Sequence, residues 1–161
     1  MIRKLNVNDD KELRSLLELQ RLSYQVEAEL IGYADLPPLK DNLDTLRSSN
    51  EHFYGYFIAE TLIGAISYEL KRISGVRPGK GLDICRLVVH PEFFRRGIGG
   101  NLLRKIEELE DPELITVATG TMNKPAKELY RRLGFVAQEE LEVALGILIT
   151  CFQKVSKNKK L

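Results

Sequence analysis

Cysteine and histidine are both scarce, with two of each in 161 residues. Cys85 and Cys151 stand apart in separate apolar runs, and with His52 and His90 they show no zinc-ligand spacing. A buried, reduced thiol is the expectation for each cysteine, and no metal is expected. An excess of one charge sign is missing as well. Lys and Arg number 24 against 23 Asp and Glu, so neither nucleic acid nor an anionic membrane meets an attractive overall field. No apolar run approaches the roughly eighteen residues of a membrane helix, and the segment after Met1-Ile2-Arg3 turns polar without a signal-peptide core. A cytoplasmic location and a small-molecule or protein partner follow as expectations. Internal repeats and low-complexity linkers are absent too, and a hydrophobic content of 43% suits one core. One domain over residues 1–155 is expected, with a basic tail over 156–161.

The elements that are present alternate in type. "IRKLNV" reads as an opening strand. Asn8-Asp9-Asp10 then supply capping oxygens for a helix with Leu13, Leu16 and Leu17 on one face. Ser23 to Asn50 reads as a helical region broken at Pro37-Pro38. "HFYGYFIAE" and "LIGAISYEL" form a hairpin turning at Glu60-Thr61, Lys71 to Gly81 reads as a basic surface loop, and "LDICRLVV" resumes a strand. Apolar residues from Ile98 to Leu109 recur at helical spacing up to Asp111-Pro112, and "LITVAT" follows as a strand. Asn123 caps a short helix with Pro125 in its first turn and Gly134 as its stop. "FVAQEELEV" and "ILITCFQKV" close the chain as strands. The order β-α-α-β-β-β-α-β-α-β-β indicates an α/β (α+β) fold, a mixed and largely antiparallel sheet flanked by helices.

The stretch "HPEFFRRGIGGNLL", His90 to Leu103, places glycines between a strand and a helix. Such a turn aims backbone N–H groups at one point, with the positive end of the helix dipole behind them, which suits a phosphate. Gly97 and Gly99 lack Cβ atoms that would obstruct a diphosphate, and Arg95 and Arg96 add rim charge. A plain tight turn with two solvated arginines is the alternative. A dinucleotide fingerprint would need glycine at Leu102, and the nucleoside-triphosphate loop would need a Gly-Lys-Ser/Thr triplet that is missing.

"FRRGIG", Phe94 to Gly99, followed by "NKPAKELYRRLGF", Asn123 to Phe135, resembles two successive motifs of the GNAT superfamily of N-acetyltransferases. The first is Gln/Arg-x-x-Gly-x-Gly/Ala between a strand and a helix, and Phe94 stands where the family carries Gln or Arg. The resemblance implies acetyl-CoA as cosubstrate. Its phosphates would sit on Phe94, Arg95, Arg96, Gly97, Ile98, Gly99 and Gly100, its pantetheine along the main chain of Leu87, Val88 and Val89, with further contacts from Asn123, Lys127 and Tyr130. It also implies Tyr130 as the acid that protonates the CoA sulfur. Read by periodicity alone, Tyr130 extends the Ala126-Leu129-Leu133 stripe instead.

An ammonium has no lone pair, so acetyl transfer to an amine needs a route for its proton. Asp83 lies near where some family members carry a relaying acid, and a structural ion pair is its other reading. Strand alternation puts Asp83 with Cys85, Leu87 and Val89, and a bulge in this strand would exchange the faces. His90 reads as a turn residue. Tyr24, Glu27, Glu29, Tyr33 and Asp35, with Glu139, Glu140 and Glu142, are candidates for an acceptor pocket suited to a cationic amine, or else a solvated face. Two functions stay open: an N-acetyltransferase acting on a small-molecule or protein amine, and a non-catalytic CoA-binding module for which Phe94 speaks. An exposed final strand offers a dimer contact.

Overall fold

The computed structural model describes residues 1–74 and 79–156. Strands β1 (Ile2–Lys4), β2 (His52–Ile58), β3 (Thr61–Ile73), β4 (Gly79–Val89), β5 (Leu114–Gly120), β6 (Val136–Ala144) and β7 (Ile147–Val155) form one seven-stranded sheet in the order β1-β2-β3-β4-β5-β7-β6. All pairs are antiparallel except β4 with β5. Helices α3 (Ile98–Glu110) and α4 (Lys124–Arg132) cover one face, where Ile66, Leu82, Leu102, Ile106, Tyr130 and Phe152 form the larger core. Helices α1 (Asp10–Ile31) and α2 (Leu43–Ser48) cover part of the other over Leu13, Leu16, Leu46, Phe53 and Val88. Among the described residues no helix is long and apolar enough to cross a membrane.

The first helix runs unbroken through Ser23 to Ile31, because burial of Leu19, Tyr24 and Ile31 continues its apolar face and no breaker precedes Gly32. Gly32 ends it in the left-handed region, φ 70°. Pro37-Pro38 interrupts no helix; it opens a short 3-10 helix, Pro37–Lys40, where a missing N–H costs nothing. Most of the expected basic loop is strand: Leu70 to Ile73 pair with Gly79 to Leu82, and ladder bonds outweigh the turn-prone composition. Residues 75–78 of that loop and 157–161 of the basic tail lie outside the described residues. The β2–β3 turn sits one residue earlier than expected, with Ala59 at φ 53°. The last strand is not an edge: β7 pairs with β5 on one side and β6 on the other, so β6 is the exposed edge at that end of the sheet.

Two features of β4 place the site. Ser67 pairs with Arg86 while Tyr68 pairs with Ile84, so Cys85 is the extra residue of a β-bulge. The bulge exchanges the faces: Leu82 and Ile84 point to the α3 side, yet so do Leu87 and Val89, while Arg86 and Val88 face α1. It also leaves Cys85 exposed, against the expectation of burial, and Cys151 half-buried; neither is in a disulfide. In addition, β4 and β5 pair only from Gly81 to Asp83 with Leu114 to Thr116. Beyond that they separate, as two parallel strands do when their ladder stops, and a cleft opens at their carboxyl ends.

Candidate active site

The cleft encloses about 400 Å³ between α1, β4, β5, α4 and the β6–β7 hairpin. Its β4 wall has a free main-chain edge. The His90 N–H donates to Ile63 of β3 at 2.8 Å, so Val88 turns the same way, and Leu87 and Val89 turn their peptide groups away from β3, with Leu87 lining the cleft. The Val89 N–H meets only the Ser23 hydroxyl, at 3.4 Å. Val88 is not brought to the cleft: its main chain faces β3 and its side chain is buried under α1.

At the exit of β4, His90 caps a 3-10 turn (Pro91–Phe93) by accepting the Glu92 N–H at 3.1 Å. The chain then passes through Arg95 at φ 64° and Gly97 at φ 78°, and α3 starts with no side-chain cap. The first helical bond is Asn101 N–H to Gly97 at 2.9 Å, so the N–H groups of Ile98, Gly99 and Gly100 lack helical acceptors. Gly97 has open space beside it, and a Cβ on Gly99 would come within 3.3 Å of the Leu129 side chain. Phe94, Arg95 and Arg96 are exposed, and the Arg96 guanidinium lies 5.0 Å over the Phe93 ring. The loop therefore presents unpaired donors and two cations. It adjoins the cleft through Leu87, which would lie 3.8 Å from a Cβ on Gly99.

Opposite β4, Asn123 caps α4 by accepting the Ala126 N–H at 3.3 Å, and the Lys127 ammonium donates to Thr121 at 3.2 Å. The Tyr130 ring packs 5.5 Å from Phe135 and 5.7 Å from Phe152. Its hydroxyl lines the cleft and has no hydrogen-bond partner among the described residues, yet is no sealed, unpaired atom. Burial, and then the charge of Glu27, push this phenol well above its ordinary pKa, so it keeps its proton. Tyr24 is raised in the same way, by burial first and Glu27 second.

Asp83 lies outside this cleft. At the last position of β4 that pairs with β5 it accepts from the Thr116 hydroxyl at 2.6 Å, sits 3.5 Å from the Lys71 ammonium, and lines a separate depression with Glu139 and Cys151. Of the acceptor candidates, Tyr24, Glu27, Tyr33 and Asp35 line the cleft, whereas Glu29, Glu140 and Glu142 are exposed away from it. Thr119, Ile147 and Ile149 line it too and escaped the sequence reading. The one signal for Thr119 was its place near the carboxyl end of a strand whose parallel neighbour diverges. Among the described residues no group of three His, Cys, Asp or Glu could hold a metal ion.

Residues 13–135 match the profile of the Acetyltransferase (GNAT) family. The chain is 39% identical over 160 residues to UPF0157 protein YqkA of Bacillus subtilis, covering 99% of itself and 45% of YqkA, so it spans less than half of that relative. It is 30% identical over 112 residues to N-alpha-acetyltransferase RimI of Mycobacterium tuberculosis, 69% of this chain and 68% of RimI. The PaiA N-acetyltransferase of Thermoplasma acidophilum, solved in complex with coenzyme A, superposes with a TM-score of 0.71 at 22% identity, over 97% of this chain and 98% of that one. With the bulged β4, the β4–β5 cleft and the glycine turn into α3, these matches show that the chain belongs to the GNAT acetyltransferase family.

Proposed function

We propose that the chain is an acetyl-CoA-dependent N-acetyltransferase acting on a primary amine. The observation that carries this reading is the protonated, unpartnered Tyr130 hydroxyl in one cleft with Leu87, whose main chain is turned away from β3. The relative named an N-alpha-acetyltransferase and the neighbour solved with coenzyme A support it. The residues suit the cosubstrate. The uncapped N–H groups of Ile98 to Gly100, with Arg95 and Arg96, would hold its diphosphate, and Leu87 and Val89 would pair with its amides as a further strand does. Asn123 and Lys127 are already bonded within the α4 entry, so they shape its floor. When bound, acetyl-CoA supplies an acyl thioester. In transfer the amine nitrogen would form the new C–N bond as the C–S bond breaks, with Tyr130 placed to give its proton to the departing sulfur and to regain one from water. The amine's proton leaves through water, because Asp83 is committed to Thr116 and Lys71. The two free thiols suit a reducing cytoplasm.

The test is thermal stability with about 1 mM acetyl-CoA, followed by acyl transfer in wild type and Tyr130→Phe. A dissociation constant near 10 μM would add about 2.7 kcal/mol, or about 5–10 °C. Tyr130→Phe should keep the thermal shift and lose rate. A shift with no transfer to any amine would favour the binding-module reading that Phe94 motivates, and no shift would refute the CoA site.

A further inference from the structure

We propose that the acceptor is an amine with a single positive charge beside an apolar body, and that the Glu27 carboxylate is its counter-ion. This rests on the acetyltransferase reading and narrows its acceptor. Among the described residues three charged side chains line the cleft: Glu27, Asp35 and Arg86. Arg86 is spoken for, since its guanidinium is paired with both Asp41 and Glu51, two carboxylates around one cation. Asp35 stands at the exposed rim, 2.6 Å from the Lys40 ammonium. Glu27 has no cationic partner among the described residues; its hydrogen bond there is accepted from the Thr119 hydroxyl at 3.3 Å.

What surrounds Glu27 is suited to an ammonium. Tyr24 precedes it by one helical turn, Tyr130 approaches from α4, and both phenol oxygens lack hydrogen-bond partners among the described residues. Its charge is felt by both phenols, which places the carboxylate close to the reacting end of the cleft. Thr119 in turn accepts from Asn123 at 3.4 Å, so the carboxylate is held to the same helix entry that positions Tyr130. Beyond these groups and the polar Tyr33, Cys85 and Asn123, the wall is apolar: Ile31, Leu36, Pro37, Val143, Ile147 and Ile149. A polycation would need several free carboxylates here, and this wall supplies one.

The protein saturated with CoA is titrated calorimetrically at pH 7 with 2-phenylethylamine, with 2-phenylethanol and with spermidine. The amine should bind at least tenfold tighter than the alcohol, which has the same body without the charge, and tighter than spermidine. Glu27→Gln keeps a side chain that can meet Thr119 and should abolish the preference for amine over alcohol, while Glu29→Gln, away from the cleft, should leave it intact. Equal binding of amine and alcohol, tighter binding of spermidine, no amine binding at 10 mM, or an undiminished preference in Glu27→Gln would each overturn the proposal. Failure to bind CoA would sink the acetyltransferase reading alone, and the same titration of the free protein still reads Glu27.

Discussion

Arg86 gives the sharpest quantitative test of how the cleft is held open. It lies one residue past the bulge, and its guanidinium donates to Glu51 at 2.9 and 3.1 Å, to Gln20 at 3.1 Å and to Asp41. Gln20 completes the clasp with bonds to Pro38 and Asp41, both 2.9 Å. The segment from Leu36 to Pro38, which walls part of the cleft, is thus tied to β4. Burial alone would raise the Glu51 and Asp41 carboxyls, but hydrogen bonds led by Arg86 outweigh it and hold both below the ordinary range. Arg86→Met fills similar space and removes the cation, leaving two carboxylates with side chains 8% and 14% exposed facing one another. Breaking a buried pair costs about 3–5 kcal/mol, and the residual exposure argues for the lower end, about 3 kcal/mol or a fall in Tm of about 6–12 °C. The pH dependence reverses as well. In wild type the contribution is present above the unfolded carboxylate pKa, about 4, and is lost as pH falls through the lower folded values. In Arg86→Met burial and mutual repulsion raise both folded values, so the variant recovers stability as pH falls from 7 to 5. Urea unfolding followed by circular dichroism at pH 7 and 5 measures both effects. A variant within about 0.5 kcal/mol of wild type at pH 7, or a gap that does not narrow at pH 5, would refute the reasoning.

Gly97→Ala forces a Cβ into φ 78°, which costs about 1–2 kcal/mol and disturbs the α3 turn; the acetyl-CoA thermal shift should fall by more than half, while Arg95→Gly, relieving φ 64°, should not destabilise the fold. Asp83→Asn should leave the pH–rate profile of acetyl transfer unaltered, since the carboxylate lies outside the cleft; a displaced profile would restore it as a proton relay. The Cys85 thiol, partly withdrawn from water and near the Glu51 and Asp83 charges, is pushed up to about 12. Iodoacetamide at pH 8 should alkylate it more than tenfold slower than a free cysteine despite its exposure, and equal rates would contradict that environment.

The features legible in the sequence were those written in consecutive residues. The glycine turn into α3 and the Asn123 cap of α4 are local demands of backbone geometry and of orphan N–H groups, and Gly134 ends α4 at φ 95° for the same kind of reason. The element order followed from hydrophobic period, which depends on neighbours within a turn or a pleat. The end of α1 was misjudged because its last two turns are held by burial of Tyr24 and Ile31, a property of what packs on them and not of their propensity. Arg86 stood in the sequence as one more basic residue, and the strand could be paired with or without a bulge. Only the register against β3 puts Cys85 out of the ladder and turns Arg86 toward α1. Glu27 and Thr119 lie 92 positions apart, and they meet because β4 and β5 part company after Asp83 and because β7 inserts between β5 and β6. The sequence by itself determined the order of the elements and the glycine turn into α3, since those are settled by short-range sterics and hydrogen bonding. Which strand is the edge beside β7, where the sheet splits and which cleft carboxylate has no cationic partner among the described residues were decided by long-range pairing, where packing of distant side chains selects one arrangement among several that local propensity allows equally.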